Sequence, residues 1–230
     1  DTARVPYGSK SPETIRGFAD EIARFLLGHG VKAVIAACNT ATAHALESLR
    51  QTCPVPVIGV LEPGVEAVLA QPDVQRAGII GTEGTIKSHA YQHLLAMRRP
   101  DLQIHALATP LLVPFVEQGW LDHPALDLVL RTYLNPMLER GIDTLLLGCT
   151  HYPLLLPALE RVTGGAVRLI DSASTCAAHT RERLRERNLL RSRGARTELS
   201  IHLTDLSEHA EDQARRYLGA TQRGIHLARL

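Results

Sequence analysis

Aromatic residues are scarce in this chain, at 4% of 230 residues, and its lysines are only Lys10, Lys32 and Lys87. So few rings leave no platform on which nucleic-acid bases could stack. No stretch approaches the roughly 18 consecutive apolar residues that a membrane-crossing helix needs. No charged-then-apolar segment with a small-residue cleavage site opens the sequence either. Membrane and secretory roles are therefore not expected. Nor is one sign of charge in excess: 25 Lys+Arg stand against 24 Asp+Glu, a net charge of +1, which gives no general field for nucleic acid or anionic lipid. A small-molecule function becomes the default. The four cysteines, Cys38, Cys53, Cys149 and Cys176, form no Cys-x-x-Cys pair, and a chain of this size needs no disulfide staples. They read as free thiols in a reducing cytoplasm.

What is present is an alternation of short apolar runs with longer segments of helical period. The strand candidates are Val31 to Ala37, Val55 to Val60, Ala77 to Gly81, Leu102 to Ala108, Ile142 to Leu147, Val167 to Ile170 and Leu199 to Leu203. The first helix has Ser11 as cap, Pro12 at its first position, apolar Ile15, Phe18, Ile22 and Phe25, and Gly28 or Gly30 as its stop. Further helices are expected over Ala41 to Leu49, Ile86 to Leu95, Ala125 to Arg140 with an interruption at Pro136, Thr175 to Arg187 and Ser207 to Leu218. Continuous apolar strands separated by helices predict an α/β fold with parallel sheet covered on both faces. The arginine-rich run from Arg181 to Arg196 reads as a solvated helix end and loop and is given no function.

An internal repeat organises the chain. Gly30-Val-Lys-Ala-Val-Ile-Ala-Ala-Cys38-Asn-Thr40 matches Gly141-Ile-Asp-Thr-Leu-Leu-Leu-Gly-Cys149-Thr-His151, with the same spacing from glycine to cysteine. Val57-Ile-Gly-Val60 then follows Cys38 at the distance at which Arg168-Leu-Ile-Asp171 follows Cys149. Two halves of one architecture are expected. Two strands precede Cys149 in its half and only a stub at Asp1 precedes Cys38, so on symmetry the sequence is read as N-terminally truncated or incompletely represented.

Both Cys38 and Cys149 fall just past a strand, where ligands bind in open parallel sheets and helix N-termini point at the site. A thiol of ordinary pKa about 8.5 is lowered by such a terminus, so both are expected to form thiolates. Zinc finds only Cys149 and His151 closely spaced, with His44 the nearest histidine to Cys38, and no metal is expected. A Cys-His nucleophile built from Cys149 and His151 would leave Cys38 idle. A non-catalytic amino-acid-binding protein would use the same cleft without turnover. Two equivalent thiols from two similar halves suit a reaction that needs matched groups on opposite faces of one carbon, and racemisation is that reaction.

The segments Ala37-Cys-Asn-Thr40, Leu147-Gly-Cys-Thr-His-Tyr-Pro-Leu154, Asp1-Thr-Ala-Arg-Val-Pro-Tyr-Gly8, Glu62-Pro-Gly64 and Gly81-Thr-x-x-Thr85 resemble the glutamate racemase family, from Asp1 to about Leu218. The resemblance implies a cofactor-independent enzyme that supplies D-glutamate for peptidoglycan. It implies Cys38 and Cys149 as the acid/base pair, Cys38 handling the proton of D-glutamate and Cys149 that of L-glutamate. It places Pro6, Tyr7, Gly8, Asn39, Thr40, Thr82, Thr85 and Thr150 at substrate-contacting positions, with His151 tuning Cys149 and Glu117 an acid near the site. The same residues also fit plainer roles: Thr40 and Thr150 as helix caps, Pro6-Tyr7-Gly8 as a turn, Glu117 as a surface carboxylate and His151 as a core histidine. Cys53 and Cys176 read as structural. A pyridoxal phosphate racemase is argued against directly, because that cofactor needs a lysine and none of the three lysines ends a strand. The family's opening Asp-Ser-Gly strand has no counterpart in these residues. A related aspartate racemase remains the alternative, and a homodimer is left open. The expected division is one α/β domain from 1 to 62 plus 173 to 230, a second from 63 to 172, and a site between them that binds L- or D-glutamate and neither nucleic acid nor membrane.

Overall fold

A computed structural model describes residues 1–191, 199–208, 210–212 and 224–230. The chain folds as an α/β protein with parallel sheets. All seven expected strands occur, each shifted or trimmed by at most three residues. β1 (Val34–Ala36) pairs in parallel with β2 (Val57–Gly59). A four-stranded parallel sheet runs in the order β4-β3-β5-β6, from β3 (Arg76–Gly81), β4 (Gln103–Ala108), β5 (Thr144–Gly148) and β6 (Arg168–Asp171). β7 (Ile201–Leu203) pairs in parallel with β8 (Ile225–Leu227), a strand the apolar pattern did not reveal.

Strand alternation distributes the core over both faces of the four-stranded sheet. Leu145 and Leu147 of β5 and Ile80 of β3 face α6 (Leu112–Glu117), α7 (Pro124–Leu138) and α8 (Leu156–Thr163). Leu126, Leu130 and Leu134 recur every fourth residue along α7 and are fully buried there. Ile79 and Leu146 point the other way, against α3 (Leu61–Leu69) and α5 (Ala90–Arg98). Pro136 does not interrupt α7: it lies in the last turn, and the helix continues through it to Leu138. The expected helix from Ile86 to Leu95 is instead two, α4 (Glu83–Lys87) and α5, because His89 takes a left-handed conformation at φ 56° between them.

The β1-β2 sheet is covered by α1 (Pro12–Gly28) and α2 (Asn39–Thr52), through Ala19, Ala23, Val34, Ala45, Leu49 and Val57. Ser11 caps α1 as expected, accepting from Thr14 N–H at 3.2 Å. β2 is the partner of β1 among the described residues. Ile35 accordingly stays 46% exposed, whereas its counterpart in the repeat, Leu146, lies between β3 and β6 and is fully buried. α9 (Ser172–Glu186) follows β6 and is capped by Asp171, which accepts from the N–H groups of Ala173 and Ser174. The expected helix from Ser207 to Leu218 lies mostly outside the described residues, though Glu208 and Ala210 to Asp212 are helical. The arginine-rich run lies outside them from 192 onward.

Candidate active site

Cys38 sits two residues after β1 and serves as the N-cap residue of α2. Cys149 directly follows β5 and enters the 3-10 turn Tyr152–Leu155. Both open into one cavity of about 420 Å³. Pro6, Tyr7, Gly8, Asn39, Thr40, Thr82, Glu117, Thr150 and His151 also line it, so the fold brings together every expected site residue except Thr85. Thr85 stands behind the wall, hydrogen-bonded to Thr40 at 3.2 Å and to Thr82 at 3.0 Å, while Thr40 and Thr82 meet at 2.8 Å. Thr82, rather than Thr40, is the helix cap, accepting from Thr85 N–H. Gly8 closes the cluster, where a Cβ would lie 2.7 Å from Thr82 Cβ.

The electrostatics correct one expectation. Burial pushes the Cys149 thiol up to about 12, with the charges of Cys38 and Glu117 adding to the rise, and the His151 backbone N–H and the Thr150 hydroxyl only partly offset it. Burial also raises Cys38, against N–H groups of Thr40 and Ala41 at the start of α2 and the Thr40 hydroxyl. Both shifts favour the thiol over the thiolate. Desolvation outweighs the helix-terminal dipole because the charged form loses its water. A chain of groups lies ready beside Cys149: its Sγ is 3.6 Å from His151 Nδ1, and His151 Nε2 is 3.4 Å from Glu117 Oε1. Among the described residues the lining contains no arginine or lysine, so an anionic ligand there would meet backbone N–H groups, hydroxyls and helix N-termini instead.

A sequence profile of the Asp/Glu/hydantoin racemases matches residues 1–180. The chain is 49% identical over 191 residues to a glutamate racemase of Geobacter metallireducens, covering 83% of this chain and 71% of that one. Its similarity to the glutamate racemase of Syntrophus aciditrophicus is 42% identity over 230 residues, 100% of this chain and 85% of that protein. The chain belongs to the glutamate racemases of the Asp/Glu/hydantoin racemase family. Glutamate racemase from Francisella tularensis, solved in complex with D-glutamate, superposes with a TM-score of 0.92 at 30% identity, covering 100% of this chain and 85% of that one.

Sequence reasoning missed several parts of the cavity. Asp1 lines the cavity with its carboxylate 5% exposed, accepting from Arg4 Nε and Thr204 Oγ1, each at 2.9 Å, and from the Tyr7 hydroxyl. It was visible only as part of the Asp1 to Gly8 segment. The far end of the cavity is apolar, walled by Ile22 and Leu26 of α1 and by Val34 and Ile35 of β1. Ile22 belongs to the apolar stripe of the first helix, in which Phe18, Ile22 and Phe25 are only half-buried. Asn39 lines the cavity while its amide is already engaged, receiving the Tyr91 hydroxyl at 2.6 Å and donating to Ser172 Oγ at 3.3 Å. Neither Tyr91 nor Ser172 carried a signal in the sequence. Among the described residues, no cluster of His, Cys, Asp or Glu is arranged to hold a metal ion.

Proposed function

We propose that this racemase interconverts L- and D-glutamate by two-base proton transfer between Cys149 and Cys38. The observation that carries the reading is that both thiols, each at a strand end of its own sheet, open into one cavity. Starting from L-glutamate, Cys149 as thiolate takes the α-proton, the C–H electron pair passes to a carbanion conjugated with the α-carboxylate, and the Cys38 thiol gives its proton to the opposite face. The enzyme is left with a Cys149 thiol and a Cys38 thiolate, ready for the reverse reaction or for reset by exchange with solvent. A buried thiol needs help to ionise, and His151 supplies it by receiving the Cys149 proton at Nδ1 while Glu117 faces the other nitrogen. Thr40, Thr82, Thr150 and the turn Pro6-Tyr7-Gly8 hold the substrate, with Thr85 supporting Thr40 and Thr82 from behind. Asn39 acts at the α2 end of the same wall.

The division into residues 1–62 plus 173–230 and residues 63–172, with pseudo-symmetric halves and the site between them, accords with the separation of the β1-β2 and β7-β8 pairs from the four-stranded sheet and with the matched placement of the cysteines. The reaction uses no cofactor, takes place in the cytoplasm and supplies D-glutamate for peptidoglycan. The related enzyme of Francisella tularensis was solved with D-glutamate bound, which supports glutamate over aspartate. Proton NMR of L-glutamate and of L-aspartate in deuterated water, each with the protein, tests this. The α-proton signal of glutamate is expected to disappear with no new resonances, while that of aspartate persists. Exchange of aspartate alone would reassign the substrate.

A further inference from the structure

Tyr91, the second residue of α5, is fully buried and does not line the cavity. Its hydroxyl donates at 2.6 Å to Asn39 Oδ1, on the residue that follows Cys38. Its ring lies against Gly148, the residue that precedes Cys149, where a Cβ would come within 3.1 Å of Tyr91 Cε2. Its other edge packs on Gly64 of α3, where a Cβ would meet the hydroxyl oxygen and Cε1 at 3.3 and 3.4 Å. One side chain thus touches the neighbours of both cysteines. The other end of the Asn39 amide is tied to Ser172, the first residue of α9, so the start of α2 is fixed from two directions.

We propose that Tyr91 is a positioning residue that sets the separation and orientation of Cys38 and Cys149. The proposal rests on the two-cysteine reading. A planar ring with two side-chain torsions, clamped between the glycine faces of α3 and β5, is a stiff spacer, and Gly148 lacks the Cβ that would push it away. Proton transfer to and from one carbon demands that both sulfurs hold their places, and a displacement near 1 Å can cost about 10²-fold in rate. Without its hydroxyl, Asn39 and the Cys38 turn lose their anchor to α5, while the ring's packing against Gly148 remains. The Cys38 step is therefore the one that slows.

The test is Tyr91→Phe, with racemisation followed in both directions. The expected result is a kcat lowered by about 10- to 100-fold with KM for glutamate within about twofold, since Tyr91 touches no substrate. The two enantiomers are equal in free energy, so kcat/KM must fall equally in both directions, and the asymmetry shows instead in isotope effects. With α-deuterated substrates, the primary effect on D- to L-glutamate, where Cys38 takes the proton, rises above that on L to D. Loss of fold alone would lower activity without that asymmetry. Asn39→Ala removes the same hydrogen bond and serves if Tyr91→Phe does not fold. It is expected to show the same asymmetry, and combined with Tyr91→Phe to lose little more than it does alone. A folded Tyr91→Phe with wild-type kcat, or equal rises in both isotope effects, overturns the proposal. Cys38→Ala and Cys149→Ala run alongside: if either keeps racemising, the two-cysteine reading itself fails, whatever Tyr91→Phe does.

Discussion

Burial decides the state of Cys149 at the scale of one residue. The sequence placed it after a strand, where a helix terminus was expected to favour the thiolate, but which influence wins depends on burial, and burial depends on what the rest of the chain packs around the site. At 5% exposure the desolvation effect dominates. The consequence for stability has a definite sign. A pKa raised in the folded state means that the native protein holds its proton more tightly than the unfolded chain, so the contribution is fully present below about pH 9 and is lost as pH climbs towards 12. At pH 10 the loss from this group is on the order of 1 kcal/mol. Urea midpoints at pH 8 and pH 10 are expected to fall further apart in the wild type than in Cys149→Ala; equal drops would show that Cys149 does not titrate abnormally. The proposed role of His151 belongs to the same scale. His151→Gln is expected to lower kcat by about 10²-fold, and a rate within threefold of wild type would remove His151 from the proton path.

At the scale of elements, the strands were legible because buried parallel strands are nearly all apolar, as in Thr-Leu-Leu-Leu-Gly of β5, which is buried throughout. The helices were less so. α3 begins Leu61-Glu-Pro-Gly64, a segment for which no helix was expected, yet Pro63 falls in the first turn, where its missing N–H costs nothing. α6 and α8 are too short for periodicity to register. The break between α4 and α5 comes from the left-handed backbone of His89, a conformation uncommon outside glycine. The Pro6 to Gly8 turn was legible as a turn, but its close approach to α4 was not. Gly8→Ala drives a Cβ to 2.7 Å from Thr82 Cβ and must displace either the turn or the threonine cluster. A KM for glutamate raised by about 10-fold or more is expected from steady-state kinetics, on the scale by which small misplacements reduce binding and rate; an unchanged KM would place substrate away from this turn.

For the whole molecule, the repeat foretold that two cysteines would occupy matched places, and the fold brings them to one cavity. What the repeat did not foretell was the long-range joinery: Tyr91 reaching Asn39, Asn39 reaching Ser172, and Asp1 meeting Thr204 more than 200 positions away. Such contacts depend on which loops meet in space, and no local pattern encodes them. A ligand seated between α1, α2, α4 and α6 holds these parts together, and binding to the native state alone stabilises it by about 2.7 kcal/mol at 100 times Kd. D-glutamate is therefore expected to raise the melting temperature by several degrees, and D-aspartate to raise it less. Equal shifts would argue against a pocket fitted to the longer side chain.

In the proposed reaction two thiols share the work, one on each face of the α-carbon. The most direct measurement is circular dichroism of the approach to the racemate, from L- and from D-glutamate, with the wild type, Cys38→Ala and Cys149→Ala. Each single substitution is expected to lower racemisation by at least about 10³-fold in both directions, with each variant still raised in melting temperature by glutamate. Full racemisation by either variant would contradict it, because one face of the carbon would then be served by some other group.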